Sequence, residues 1–224
     1  MNTEQDVINS DWERFASLSQ LINHWQRPGW EPGKRVYFWY LTFGDNIELR
    51  DITLDCQAKL AAPYLDAIDP ADLHMTLDPI ALETDLNDED VRLVESCAEI
   101  VCGSIPPFKI AVGPLAGSSG AVRFTTTPWE PIVYLQGALR KAVRNTIPQI
   151  EFDTGSFNPH IGIAYCNSAM PAKELIQSVH SVRDLPRVTV SVDSGSLVLL
   201  ERLDRSWKWT TKRSFRLAGV ESKI

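Results

Sequence analysis

Two histidines stand where their side chains could act together on one substrate. His74 and His160 each lie in a short apolar run that is typical of a buried strand, one in each half of the chain. Side chains alternate between the two faces of a strand, so Thr76 shares a face with His74 and Gly162 shares a face with His160. The chain has four histidines, and these two occupy matching positions in similar strands.

A pair of histidines that faces one phosphate can cleave a phosphodiester without a metal. Because the ordinary pKa of histidine is about 6.5, one imidazole can be neutral and take a proton while the other is charged and gives one. General acid–base catalysis of this kind contributes about 10²–10⁴-fold per group. The Thr76 hydroxyl can donate to a phosphate oxygen. Gly162 has no side chain to offer, but it could leave room for substrate or let a backbone N–H approach the phosphate.

Two other interpretations of these histidines stay open. They could be satisfied, partly buried strand residues without chemistry. Alternatively, His74, Asp78 and His160 could form a metal site of two histidines and one carboxylate. Asp78 is predicted to share a strand face with His74, but Pro79 follows directly and is expected to end the strand. We therefore favour the metal-free pair and expect no cofactor.

Several other polar side chains have an open role. Tyr40 could face the groove and hydrogen-bond a ribose or base, or it could fill the core with its hydroxyl at the edge. Arg123 could pair with a phosphate, or it could be a solvated surface arginine. His24 and His180 are most simply a loop residue and a helix-surface residue.

The order of predicted elements repeats along the chain. A strand, a helix, a histidine strand, a helix and a further strand occur twice, and His74 follows Val36 by 38 positions while His160 follows Ala121 by 39. This near-equality indicates an internal duplication. It predicts an α+β fold of two lobes, each an antiparallel sheet with helices on its outer face. A pseudo-twofold arrangement of the lobes would bring both histidines together across a central groove.

The predicted domain boundaries follow from this repeat. Residues 1–20 carry little periodic signal and are interpreted as an N-terminal lead-in. Residues 21–224 are expected to form a single domain of two lobes, at about 36–115 and 121–217.

The residues around the two histidines resemble a known family, the 2H phosphoesterases, which include the bacterial 2′-5′ RNA ligases. The family signature is a histidine-x-threonine/serine motif on a strand in each half of the chain. His74-Met75-Thr76 fits it fully, whereas His160-Ile161-Gly162 fits at the histidine and departs at the hydroxyl. The stretches His24–Trp30 and Tyr37–Phe43 also look like the start of a bacterial branch of this family. The resemblance covers about residues 21–216 and implies the two-lobed fold with its histidines face to face.

Composition limits the class of partner. The chain has 224 residues, a hydrophobic content of 44% and a net charge of −7. A negative charge of this size argues against tight binding to long nucleic acid, which requires many phosphates to be neutralised. A nucleotide or an RNA end remains compatible. No signal peptide or membrane-spanning run is visible, so we expect a soluble, cytoplasmic protein. We also expect a monomer.

Two functions remain in view. The first is a metal-independent phosphodiesterase or ligase that acts on a 2′,3′-cyclic phosphate or a 2′-5′ linkage of RNA or a nucleotide. His74 and His160 would exchange the acid and base roles, with Thr76, Gly162 and Tyr40 at the substrate. The second is a non-catalytic nucleotide-binding module, which the departure at Gly162 motivates.

Overall fold

The computed structural model describes residues 3–153, 155 and 157–220. The helices are α1 (Glu4–Ala16), α2 (Ile47–Leu60), α3 (Asp88–Ser104), α4 (Glu130–Thr146) and α5 (Lys173–Val182). The strands are β1 (Gln20–Leu21), β2 (Arg35–Thr42), β3 (Leu65–Ala67), β4 (His74–Leu82), β5 (Phe108–Ser118), β6 (Ala121–Thr127), β7 (His160–Cys166), β8 (Met170–Pro171), β9 (Val188–Val192), β10 (Ser194–Arg202) and β11 (Trp207–Arg216). Short 3-10 turns occupy His24–Gln26, Pro70–Asp72 and Glu83–Asp85.

Two antiparallel sheets carry the two histidine strands. The first sheet has the order β11-β10-β2-β4, and the second has the order β3-β7-β6-β5-β9. β4 lies at the edge of the first sheet and packs against β7 of the second. The predicted α+β fold of two antiparallel sheets with helices is confirmed.

The predicted lobe boundaries are wrong because strands cross between the halves of the chain. The sequence places β5 in the first lobe, but it pairs with β6 in the second sheet. The connection from Ser118 to Ala121 is so short that β5 and β6 must form an antiparallel hairpin. The sequence likewise places β10 and β11 in the second lobe, but β10 pairs with β2 and completes the first sheet. Each sheet is therefore built from both halves of the sequence.

The predicted lead-in is part of the packed domain. Thr3 and Asp6 form a capping box at the start of α1, and each satisfies a backbone N–H of the other. α1 then packs against β5 and β6. Its side chains Asp11 and Phe15 are fully buried. The Phe15 ring lies directly on Gly117, where an added Cβ would clash with the ring.

A second apolar cluster lies apart from the main core, on the face of the first sheet that looks toward the histidines. It consists of Val36, Phe38, Tyr40, Val198 and Leu200, with Trp30, Leu82, Trp207 and Trp209 packed against it. This cluster explains why β2 is buried on both faces along nearly its whole length. Within the described part of the chain, no helix has both the length and the apolar content to cross a bilayer.

Candidate active site

The two histidines open onto one cavity between the sheets. The cavity has a volume of about 310 Å³. All five of the side chains and backbone positions predicted from the sequence line it, namely Tyr40, His74, Thr76, His160 and Gly162. The structure therefore brings together every residue of the predicted site.

Both imidazole rings are held by the same local hydrogen bond. The Nδ1 atom of His74 lies 2.8 Å from the carbonyl oxygen of Asp72. The Nδ1 atom of His160 lies 2.7 Å from the carbonyl oxygen of Asn158. A carbonyl oxygen only accepts, so Nδ1 carries a proton in both rings. Each neutral ring is then fixed in the tautomer whose Nε2 is free to accept a proton.

Burial favours the neutral form of both rings. It lowers the pKa of His74 to about 4, although the hydrogen bond to Asp72 acts against this shift. Burial also lowers the pKa of His160 to about 4, and the nearby charge of Arg123 acts in the same direction. Both rings are therefore neutral at pH 7. An acid–base pair needs one proton, which an anionic substrate would stabilise by its own negative charge.

The surroundings of His74 are aromatic. Its ring stacks on Tyr40 with a centroid distance of 4.3 Å and an interplanar angle of 11°. Trp209 approaches the same ring edge-on at 4.7 Å. Tyr40 lies directly opposite Thr76 in the β2–β4 register, and burial raises the pKa of its hydroxyl. Tyr40 thus both fills the apolar cluster and presents a neutral hydroxyl group near the cavity.

The surroundings of His160 are polar and charged. Thr125 lies directly opposite His160, and Arg123 lies directly opposite Gly162. Arg123 is buried rather than solvated, and its Nη1 and Nη2 donate to the Asp11 carboxylate at 3.0 and 2.5 Å. The Thr125 hydroxyl donates to the same carboxylate at 2.5 Å. Both open interpretations of Arg123 are therefore replaced by a buried ion pair.

Sequence comparison decides the family. The profile of the 2′-5′ RNA ligase superfamily matches residues 48–205, which include both histidine strands. The chain belongs to this superfamily. Its recognition as a 2H phosphoesterase from the paired motifs is thereby confirmed. A comparison with curated protein sequences gave no match.

Solved structures share the fold of this superfamily member. The TT0787 protein of Thermus thermophilus is 18% identical and has a TM-score of 0.64 over 82% of this chain and 98% of its own. A protein described as a phosphoesterase is 16% identical, with a TM-score of 0.62 over 84% and 99% of the two chains. E. coli LigT, solved with 3′-AMP, is 16% identical, with a TM-score of 0.60 over the same shares. At sequence identities this low, the similarity concerns the fold alone.

The second motif of this superfamily member has a packing contact at the position of its missing hydroxyl. An added Cβ at Gly162 would lie 3.2 Å from the Cδ1 atom of Ile68. Ile68 follows β3, which pairs with β7, and its N–H donates to the carbonyl of Ile163 at 2.9 Å. The backbone at Gly162 does not have a positive φ. The position of residue 162 is therefore crowded by the end of one isoleucine side chain, and its backbone conformation does not require glycine.

The predicted shared face of His74 and Asp78 is wrong because β4 contains a bulge. Tyr40 lies opposite Thr76, but its neighbour Trp39 lies opposite Asp78, so Leu77 is an extra residue. Asp78 consequently shares the core-facing side with Trp39. There it accepts two hydrogen bonds from Arg140, at 2.5 and 2.6 Å. Across the residues that the structure describes, no group of three or more potential ligands could hold a metal ion.

His24 lies in the wall of the cavity, a position that its interpretation as a simple loop residue did not predict. Its ring stacks on Tyr165 with a centroid distance of 4.1 Å. Its Nε2 accepts a hydrogen bond of 3.0 Å from Trp207. Burial and the charges of Arg27 and Arg202 lower its pKa to about 4. The density of rings and basic residues in this loop was the available signal. His180, by contrast, is exposed on α5.

Arg27 supplies a cationic group at the rim of the cavity. It lines the cavity from the loop that follows His24 and is exposed to solvent. Among residues 3–153, 155 and 157–220, no carboxylate lies within ion-pairing distance of its guanidinium. Guanidinium groups bind phosphate well because their donors match its oxygens. The rim therefore offers a charge that nothing in the described chain neutralises.

Proposed function

We propose that the protein is a metal-independent phosphodiesterase that hydrolyses a 2′,3′-cyclic phosphate or a 2′-5′ linkage of RNA or a nucleotide. Ligation is the reverse reaction at the same site. The observation that carries this proposal is the identical anchoring of His74 and His160. In both rings Nδ1 is bound to the carbonyl two residues earlier, which leaves two Nε2 atoms for one substrate in one cavity.

The chemistry needs only protein side chains and water. One neutral imidazole takes a proton from water through Nε2, and the water oxygen attacks phosphorus. The other imidazole takes up a proton from solvent, which the charge of the bound anion stabilises, and gives that proton to the departing ribose oxygen. The P–O bond to that oxygen breaks, and the two histidines end with their protonation states exchanged. Proton exchange with solvent restores the starting protonation states before the next turnover.

Three other groups complete the substrate site. Thr76 lines the cavity, and we expect it to donate to a non-bridging phosphate oxygen in a hydrogen bond that strengthens as charge develops there. Trp30, which is partly exposed and lines the cavity, offers a surface on which a base can stack, and Tyr40 offers its hydroxyl to a ribose or base. Arg27 at the rim suits a second phosphate. E. coli LigT, which shares the fold, has been solved with 3′-AMP and with phosphate, and a ligand of that chemical class fits this description.

The test is turnover of a 2′,3′-cyclic nucleotide by the purified protein in the presence of EDTA. We expect hydrolysis at the same rate with and without the chelator. Loss of activity in EDTA that zinc or manganese restores would contradict the metal-free mechanism. The product isomer, a 2′- or a 3′-phosphate, identifies which ribose oxygen receives the proton.

A non-catalytic nucleotide-binding module is the second candidate. Two observations favour it, namely the missing hydroxyl at Gly162 and the lowered pKa of both histidines. Saturable binding of 3′-AMP or a cyclic nucleotide without any turnover between about pH 4 and pH 8 would support the module. Such a protein would not act on its ligand, and substitutions of His74 and His160 would change only its affinity.

A further inference from the structure

A buried carboxylate lies behind the second histidine. Asp11 comes from α1, outside the segment 48–205 that matches the superfamily profile. Its two oxygens accept hydrogen bonds from both terminal nitrogens of Arg123 and from the hydroxyl of Thr125. Arg14 adds a further bond of 3.2 Å from the same helix. Every oxygen of this carboxylate is therefore held by a donor.

The partners of Asp11 are the residues that face the second motif across the sheet. Thr125 is directly opposite His160, and Arg123 is directly opposite Gly162. Paired residues of antiparallel strands project to the same face of the sheet. The guanidinium and the carboxylate are thus fixed on the histidine face of the second sheet. At the equivalent point of the first sheet stand Tyr40 and Thr76.

Contacts other than this ion pair also attach α1. Phe15 already packs fully buried on Gly117, and Glu4 forms an ion pair of 3.1 Å with Arg187. A buried ion pair is in any case weak evidence for stability, because apolar residues of similar size often stabilise a fold as well or better. The position of the charges beside His160 is the feature that stability alone leaves unexplained.

We propose that Asp11 and Arg123 form a positioning pair for His160, in which each buried charge offsets the effect of the other on the ring, at a motif where residue 162 offers no hydroxyl. The pair does not contact the substrate. It acts through His160, because the positive charge of Arg123 and the negative charge of Asp11 have opposite effects on the charged form of the ring. This inference rests on the proposed function for its kinetic consequences only.

The charged and titratable groups around His160 come from three elements. They are Arg123 on β6, Asp11 on α1 and His74 on β4. Arg123 and a charged His74 lower the pKa of His160, whereas Asp11 raises it. Removing one member of the pair should therefore shift the pKa of His160 in one direction, and removing the other should shift it in the opposite direction. When both residues are replaced, the two pKa shifts should cancel.

The experiment is an NMR titration of the His160 ring in three variants, with the signal assigned from His160→Gln. We expect Asp11→Asn to lower the pKa of His160 by about one unit and Arg123→Gln to raise it by about one unit. The double variant should titrate close to the wild type. At a fixed pH, kcat should change by up to about tenfold in each single variant while KM stays constant, because the substrate contacts remain.

Two matched controls separate positioning from folding. Glu4→Gln removes the other ion pair of α1, and Asp78→Asn removes a buried bidentate pair that faces away from the cavity. Both should lower the melting temperature without moving the titration of His160. If Asp11→Asn and Arg123→Gln likewise lower the melting temperature and leave the titration unmoved, the proposal is overturned.

A charge-conserving variant keeps the test open where a single neutral variant does not fold. Arg123→Lys retains the buried pair of charges but replaces the guanidinium fork with a point charge. We expect it to shift the pKa of His160 by a few tenths of a unit and to lower kcat severalfold; an unchanged titration with unchanged kcat overturns the proposal. The titration needs no substrate, so a protein without turnover would contradict the proposed function and leave this test intact.

Discussion

The two halves of the cavity hold the same side chain, an imidazole, in different surroundings. His74 and His160 share the strand start, the hydrogen bond to a carbonyl two residues earlier and a pKa of about 4. Around His74 the neighbours are a stacked tyrosine, a tryptophan edge and a threonine. Around His160 they are a buried ion pair and a glycine. The two imidazoles are thus held in the same way, but the groups next to them differ, with aromatic rings beside His74 and a buried ion pair beside His160.

The largest effect should come from removing either histidine. We expect His74→Ala and His160→Ala each to lower kcat/KM for a cyclic nucleotide by about 10²-fold or more, because each ring carries one proton transfer. The double variant should be little slower than the slower single variant, since an acid and a base that act as a unit are not additive.

The control for both is His180→Ala, which removes an exposed histidine on α5 and should leave the rate unchanged. Melting temperatures should be recorded alongside, so that a loss of fold is not mistaken for a loss of chemistry. A near-wild-type rate in either single variant would show that the two halves are not equivalent even in their histidines.

A smaller effect should distinguish the two halves. Thr76→Val removes the hydroxyl that only the first motif has, and a hydrogen bond to a charged group contributes about 1.5–3 kcal/mol. We therefore expect kcat/KM to fall by about tenfold or more. Thr210→Val, at an exposed position of β11, is the matched control. An unaffected Thr76→Val enzyme would mean that neither half holds the phosphate through a side-chain hydroxyl.

The pH dependence should show how far the two rings share one environment. One ring must be neutral and the other charged, so the rate should be bell-shaped in pH. Because the pKa of both rings is about 4 in the free protein, the bell of kcat/KM should be centred well below the ordinary histidine value of about 6.5. A bound phosphodiester anion favours the charged imidazole and raises its pKa, so the bell of kcat should lie at higher pH. Coincident bells near about pH 6.5 would contradict the effect of burial.

Stability should follow the same groups. The pKa of each ring is lower in the folded chain than in the unfolded chain, where it is about 6.5. Between about pH 6.5 and about pH 4, the unfolded state therefore binds more protons than the folded state. The free energy of unfolding falls over that range by about 1–3 kcal/mol for each buried ring. Urea unfolding at about pH 7 and about pH 5 measures this loss, which His160→Gln should reduce.

The sequence was sufficient for the parts of the site that depend on local periodicity. Strand alternation within two residues places His74 with Thr76 and His160 with Gly162, and all four line one cavity. The same reasoning failed at Asp78, because the bulge at Leu77 moves the Asp78 side chain to the other face of β4. A single extra residue in a strand leaves no clear mark in an apolar sequence.

Long-range pairing was beyond what periodicity could show. Nothing near Asp11 in the sequence indicates that its carboxylate meets Arg123, which is 112 positions away. Likewise, the exchange of β5 and β10 between the sheets depends on which strands pair, and strand order is not a local property. The place of His24 against Tyr165 has the same origin, since a loop residue is located by the strands on which it packs.

The smallest effect is expected from a substitution that makes the two motifs alike. Gly162→Ser gives the second half the hydroxyl of the first, on the same face as His160. The new Cβ would lie 3.2 Å from Ile68 Cδ1, which is tighter than an ordinary contact, so this methyl group must move by a few tenths of an ångström. The end of an isoleucine side chain can do so at a modest cost. We therefore expect a folded protein with a slightly lower melting temperature and kcat/KM at least equal to that of the wild type.

The paired variant Gly162→Ser/Ile68→Val separates crowding from chemistry. Valine removes the methyl group that meets the new Cβ, while Ile68→Val alone costs about 0.5–1.5 kcal/mol and serves as the control. If a second hydroxyl helps to hold the phosphate, kcat/KM should rise by a few-fold in the paired variant, and more than in Gly162→Ser. If both serine variants are stable but much slower than the wild type, the second half requires an empty position at residue 162. The fixed charges of Asp11 and Arg123 would then replace the hydroxyl of the first motif. A hydroxyl added at residue 162 would disturb this ion pair and would not supplement it.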